Sequence, residues 1–283
     1  MSKKFIYVFT AASFWAFSIL LVKHILNSGE NAYNLIFWAT LLSVPYWIYI
    51  FNKNSEKIKR ITKTDIWILI GIGFINTAAV NIVEMFAIKY TQAINFSFLI
   101  RMVVVFTIIF AFLFLKEKIT KKKIILSIII LSGSYLLVSN GQAIHFQIGD
   151  LFTILEAALV AFGGTILGKI AVKRMGREFS SSAGILIGIF PITAIAFLNK
   201  AIAIPKLPVF ILLLALLNAL IIVFKYKGYK IASAAYVTMI FSLTPVVVSL
   251  VAIPLFKESL APIQILGGAL IVSGGVLCEK LKV

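Results

Sequence analysis

Residues Met85 to Leu136 and Tyr226 to Leu277 are one segment written twice, 141 positions apart, in a chain that reads as membrane-spanning almost throughout. The register is unambiguous: Lys116-Glu117 falls on Lys257-Glu258, Ala93 on Ala234, Ala111 on Ala252, and Ser132-Gly133 on Ser273-Gly274. An odd number of predicted spans separates the copies, so one copy must lie upside down relative to the other. Inverted halves of this kind enclose a polar site near mid-bilayer, where they meet.

Composition supplies the membrane half of that statement. A soluble domain averages about 45–50% apolar and 25% charged residues, whereas this chain of 283 residues is 61% apolar and 13% charged, with mean hydropathy +1.06. Each crossing needs about 20 apolar residues, and breaks in the pattern mark ten spans: 5–26, 32–51, 65–88, 92–115, 123–140, 150–172, 180–199, 207–225, 232–256 and 261–279. The expected fold is an all-α integral membrane protein of ten transmembrane helices in two inverted five-helix repeats, 1–140 and 141–283. The apolar run after Lys3-Lys4 is too long for a signal peptide and has no small-residue cleavage site, so it reads as a retained first span.

Net charge of +17 in a soluble chain would point to nucleic acid. Here it reads as a topology signal, because lysine and arginine concentrate in cytoplasmic loops. Twenty of them fall on one side, from Lys3 and Lys4 through the groups around Lys57, Lys121, Arg174 and Lys227 to Lys282. Only Lys23, Lys89, Lys200, Lys206 and Lys257 fall on the other. Both termini are therefore expected in the cytoplasm of a cell-membrane protein. The loop Lys116 to Lys123 is strongly basic while its copy, Lys257 to Pro262, keeps one lysine, as opposite orientation demands.

The lone Cys278 excludes an intramolecular disulfide and a cysteine-based metal cluster. His24 and His145 are far apart in sequence, so no metal and no cofactor is expected. No His-Glu-x-x-His motif occurs, Asp65 and Asp150 sit at span ends, and neither histidine pairs with a serine, so the chain does not read as an enzyme.

The stretches Ala87-Ile88-Lys89-Tyr90-Thr91-Gln92-Ala93, Leu115-Lys116-Glu117-Lys118-Ile119-Thr120 and Leu131-Ser132-Gly133, with Ile231-Ala232-Ser233-Ala234-Ala235, Thr244-Pro245-Val246, Phe256-Lys257-Glu258 and Gly267-Gly268, resemble the EamA-like branch of the drug/metabolite transporter superfamily. Trp15 followed by Lys23 adds to the likeness. The resemblance implies a central cavity lined by spans one to four and six to nine, with spans five and ten peripheral. It also implies a secondary transporter of small metabolites, more often an exporter. Two positions depart from the family pattern. Val104 stands where a proline matching Pro245 is usual, which puts the fourth-span kink in doubt. Phe37-Trp38 stands where an arginine often occurs.

A charged side chain at membrane depth costs about 2.5–3.5 kcal/mol on insertion scales and is a functional candidate by default. Arg101 leads: about nine residues into its span, it lies roughly 14 Å deep. Its planar fork suits a carboxylate or phosphate. The alternative is a structural ion pair with Glu84 or Glu156. Thr77, Asn81 and Glu84 share one helix face at i, i+4 and i+7, and Glu84 or Glu156 is a candidate for proton coupling or for contact with a cationic group. On the ninth span Thr238, Ser242, Pro245 and Ser249 form a second polar stripe. Ser242 occupies the repeat register of Arg101, Pro245 marks a kink, and Tyr236 approaches from a neighbouring face. Trp15 is a candidate for stacking on a substrate.

Other positions have structural readings. Trp38, Trp47 and Trp67 read as interfacial belt residues, Lys23 and Lys169 as snorkelling lysines, and Glu117 and Glu258 as charges at the start of the helix that follows each. Thr120 is a candidate N-cap and Pro262 a first-turn residue. The pairs Gly164/Gly168 and Gly184/Gly188, with the Gly267 to Gly275 cluster, permit close helix approach.

The expectation is an alternating-access exporter of a small anionic or zwitterionic metabolite such as an amino acid, its partners being that solute, the lipid bilayer and protons. It would be a monomer or weak homodimer with no nucleic-acid role. The alternative is a flippase for a lipid-linked sugar or headgroup.

Overall fold

Many polar side chains lie inside this molecule and many large apolar ones outside. Thr107, Ser134, Thr153, Ser180, Ser182 and Thr244 are fully buried, while Phe190 and Leu198 are 73% and 78% exposed. A soluble protein does not expose apolar surface on this scale, so lipid is the medium that accounts for it. The computed structural model describes residues 2–90, 96, 98–139, 147–256 and 261–281, the side chains of 23, 85, 88, 89, 249 and 252–256 excepted. Ala93, His145, Lys257 and Glu258, with the side chains of Lys23, Lys89, Ser249 and Ala252, lie outside the described residues.

Among the described residues, eight helices are long and apolar enough to cross a membrane. They are α1 (Lys3–Asn27), α2 (Ala32–Lys53), α3 (Lys63–Gly71, a π-helical segment Ile72–Ala79, then Val80–Tyr90), α5 (Lys121–Ser139), α6 (Ile148–Met175), α7 (Arg177–Leu198), α8 (Pro208–Ile231) and α10 (Pro262–Lys280). Two shorter apolar helices fall between them: α4 (Ile100–Leu115) and α9, which runs Ala234–Phe241 and resumes as Thr244–Phe256. Side-chain caps set several starts. Thr120 Oγ1 accepts from Lys123 N–H at 3.3 Å, Ser233 Oγ accepts from Tyr236 N–H at 3.0 Å, and Pro262 opens α10.

Contacts at the helix ends establish the inversion. Ser2 N–H donates to Glu279 at 3.1 Å, so α1 begins where α10 finishes. Tyr236 Oη donates to Glu279 at 2.6 Å, which puts the start of α9 at that same end. Glu117 joins the starts of α5 and α9 to Lys169 near the finish of α6. At the opposite end Gln264 Nε2 donates to the Leu137 carbonyl, tying the start of α10 to the finish of α5. Thus α1 and α5 start at the end where α6 and α10 finish. Helix pairings also interchange between halves: α1 packs on α8 as α6 packs on α3, α1 on α9 as α6 on α4, and α2, α4 and α5 each meet their own counterparts.

The α5–α10 pair closes tightly because glycines face it. A Cβ added at Gly267 would lie 2.4 Å from the backbone nitrogen of Leu137, whereas one at Gly268 would meet nothing within 4 Å. Overpacking costs about 1–3 kcal/mol, while Gly→Ala in a helix interior returns about 1 kcal/mol. Gly267→Ala is therefore expected to lower the melting temperature in detergent and Gly268→Ala to raise it slightly; equal shifts would show that the two helices do not press together there.

Three sequence readings are corrected. The eighth helix runs past the predicted end at 225 to Ile231, because Tyr226, Gly228 and Tyr229 continue its buried face; Lys225 is thus a helix residue rather than a loop residue. Trp47 is only 1% exposed, so it is a core residue and not a belt residue. Lys169 does not snorkel: it donates to the Ala232 carbonyl and pairs with Glu117 at 3.4 Å.

Candidate functional site

The backbones of α3, α4, α6 and α9 each depart from α geometry at one place. In α9 the break falls at Ser242 and Leu243, whose N–H groups reach back to Met239 and Ile240. Pro245 contributes to it. It lacks an N–H and its ring crowds the carbonyl of the residue four before it, Phe241, which instead accepts from Thr244 Oγ1 at 2.7 Å. The repeat register of that break is Arg101. There α4 carries a 3-10 turn, Ile100–Met102, although Val104 replaces the proline. Loss of the proline therefore does not straighten this helix.

Two π-helical segments, Ile72–Ala79 of α3 and Val160–Leu167 of α6, press together beside these breaks. Each π turn carries an extra residue and leaves backbone carbonyls out of the α ladder, an arrangement concentrated at functional sites. Glycine permits the contact: a Cβ at Gly164 would lie 2.3 Å from Asn76 Oδ1. The Gly164 carbonyl accepts from Tyr229 Oη at 2.9 Å.

Arg101 sits in this zone with 6% exposure, about 21 Å along α4 from its end at Leu115 at ~1.5 Å per residue. Its Nε has no hydrogen-bond partner. Its guanidinium carbon lies 5.6 Å from the Trp15 ring centroid, and that ring lies 5.9 Å from Phe241 at the α9 break. None of the ion pairs formed among the described residues includes Arg101, Glu84 or Glu156. The structural ion pair weighed from sequence is absent.

The two glutamates lie on packed helices, α3 and α6. Glu156 is buried with Oε2 unpartnered, and its helix also packs on the 3-10 turn that carries Arg101. Thr77 and Asn81 turn elsewhere. Asn81 donates from its amide to the Thr77 carbonyl and borders a small hollow with Tyr33, Ile36 and Ile192. Thr77 fills the space over Gly188 of α7. On α9, Thr238 and Ser242 are buried and donate to carbonyls of their own helix. Tyr236 is a correction: its hydroxyl is taken by Glu279, and Lys4 lies 4.0 Å from its ring centroid, so it belongs to the end of the bundle that bears the termini.

Sequence reasoning missed Lys225. Its Nζ lies 5.4 Å from the Phe241 ring centroid and 5.8 Å from that of Tyr229, and it points at Gly164 of the π turn. The available signal was Ser233, a good N-cap for α9: a helix that starts at Ala234 lets α8 continue past Lys225.

Glu117 is a second correction. Besides taking Lys123 in the first turn of the helix after it, at 3.3 Å, its carboxylate reaches across to Lys169 at 3.4 Å and the Ala234 N–H at 3.1 Å. It therefore caps α9 and links the two repeats. A hollow of about 800 Å³ opens there, lined by Glu117, Lys121, Lys123, Lys169 and Ser233 among others.

No curated protein matches the chain. A solved structure described only as "Crystal structure of protein" superposes with a TM-score of 0.77 at 14% identity, covering 100% of this chain and 98% of the other. The likeness is one of fold. The EamA-like transporter family model matches residues 2–139 and again 147–278, one match per half. This multi-pass membrane protein, with its duplicated halves, therefore belongs to the EamA-like transporter family.

Proposed function

We propose that the protein is a secondary active transporter working by alternating access, with ten transmembrane helices in two repeats, 1–140 and 141–283, and both termini in the cytoplasm of a cell membrane. Its substrate is a small anionic or zwitterionic metabolite such as an amino acid, moved outward. The observation that supports this most is Arg101: a buried guanidinium without an ionic partner, set against Trp15 where the halves meet. An unpaired charge at that depth is costly, and a substrate carboxylate or phosphate would satisfy it bidentately. Trp15 forms one wall, Ser242 and Thr238 are substrate-contact candidates on α9, and the Pro245 break gives α9 a place to bend.

Glu84 and Glu156 are the coupling candidates. They lie on packed helices, and Glu156 is buried with Oε2 unpartnered, so a proton exchanged there as access alternates would couple transport to a pH gradient. The test is a solute screen in proteoliposomes with and without a pH gradient. An imposed gradient is expected to drive uptake of at least one anionic or zwitterionic solute, with Glu84→Gln and Glu156→Gln abolishing the gradient's effect. Uptake that ignores the gradient in the parent would remove proton coupling. The flippase reading predicts instead that a lipid-linked sugar, and no soluble solute, is moved.

A further inference from the structure

Lys225 is the second cation of the same zone, and it too has no counter-ion. Among the described residues its ammonium makes neither an ion pair nor a hydrogen bond; its neighbours are the rings of Phe241 and Tyr229. Cation–π contacts contribute about 0.5–1 kcal/mol when exposed and ~2 when desolvated; Lys225 is half-buried, about 9 Å along α8 from its end at Ile231 at ~1.5 Å per residue. Lys227, two residues on, takes the ordinary course, lying 4.7 Å and 5.5 Å from the Phe224 and Tyr7 ring centroids on another face of α8. Lys225 instead points inward, where the α9 break at Phe241 and the π turns of α6 and α3 converge on Gly164. A lysine needed only for topology gains nothing from that placement.

The rings connect it to Arg101. Guanidinium to Trp15 is 5.6 Å, Trp15 to Phe241 is 5.9 Å, and Phe241 to the Lys225 ammonium is 5.4 Å. The result is a cation at each end of a two-ring wall, on four different helices drawn from both repeats. We propose that Lys225 is a specificity-determining residue and that the substrate is a dianion: two acidic groups separated by an apolar, preferably flat spacer. Arg101 holds one acidic group, Lys225 the other, and Trp15 with Phe241 covers the spacer. A monoanion leaves one of the two charges unmatched, and that mismatch is the basis of selection. This inference rests on the Arg101 reading above and narrows its substrate class.

The test uses the purified full chain in detergent and calorimetric titration with benzoate, terephthalate and biphenyl-4,4′-dicarboxylate. The parent is expected to bind at least one dicarboxylate about 10-fold or more tighter than benzoate, since a desolvated charge pair is worth at least that factor. Lys225→Gln is expected to bring the ratio to within ~2-fold, and Lys225→Arg to restore it. Equal affinities in the parent, no binding of any probe, or a ratio that survives Lys225→Gln would overturn the proposal. Arg101→Gln separates the two readings. If it removes benzoate binding while the Lys225→Gln ratio stays at the parental value, only the dianion inference fails; if it leaves benzoate binding intact, the Arg101 reading fails with it.

Discussion

Arg101→Ala is expected to cut transport of the identified substrate by ~30-fold or more in kcat/KM, because truncating one partner of a desolvated charge pair costs about 2–5 kcal/mol. Arg101→Lys keeps the charge but loses the planar fork, and an intermediate loss follows. Stability is the discriminating companion measurement. A structural arginine paired to Glu84 or Glu156 would leave a buried carboxylate uncompensated on removal, at a cost of about 3–5 kcal/mol. The structure shows no such pair. Deleting an unpaired buried charge should instead leave the substrate-free protein at least as stable as the parent. Melting in detergent, with and without the substrate, reads both effects: the variant holds or gains melting temperature alone and loses the increment that the substrate adds. Unchanged transport, or a collapse of the substrate-free fold, would count against a substrate role.

Glu117→Ala is expected to have the next largest effect. It strands two lysine ammonium groups beside each other and leaves the Ala234 N–H without its acceptor. Breaking a buried pair from one side costs about 3–5 kcal/mol. The side chains here keep 10% to 22% exposure, so solvent screening reduces the loss to roughly 2–3 kcal/mol. The loss falls between repeats, since Glu117 belongs to the first half and Lys169 and Ala234 to the second. The start of α9 should therefore become more accessible. Labelling of Ser233→Cys in a Cys278→Ser background measures this directly, and the single native cysteine keeps that background simple. Faster labelling with a lowered melting temperature is the expected result; Glu117→Gln, which keeps an acceptor for the N–H, should fall between. A labelling rate equal to that of the parent would mean that the cluster does not hold α9.

Legibility differed between kinds of residue for physical reasons. The repeat, the long apolar helices and Arg101 were all readable, because periodicity, hydropathy and the cost of a buried charge are local properties of a chain. Thr120 and Pro262 were readable as helix starts for the same reason. Tyr236, Trp47, Lys169 and Glu117 were misplaced. Their surroundings come from elsewhere in the chain: Tyr236 meets Glu279, Lys169 the Ala232 carbonyl and Glu117 the Ala234 N–H, while Trp47 is packed into the core. Lys225 was missed by a boundary error of six residues, and one turn of helix separates a loop lysine from an interior one. The π turns of α3 and α6 had no visible sequence signal beyond Gly163-Gly164, since a π segment is stabilised by what packs on it.

By itself the sequence determined the medium, the duplication and the opposed orientation of its halves, because apolar length and an odd number of crossings leave no other arrangement. Only the tertiary structure decided which charges are neutralised and which stand alone. Glu117, with Lys123 and Lys169, became a tie between repeats, while Arg101 and Lys225 were left at the two ends of an aromatic wall. Pairing depends on distances between helices remote in the chain, and those distances are set by how glycines, π turns and the Pro245 break let the helices approach.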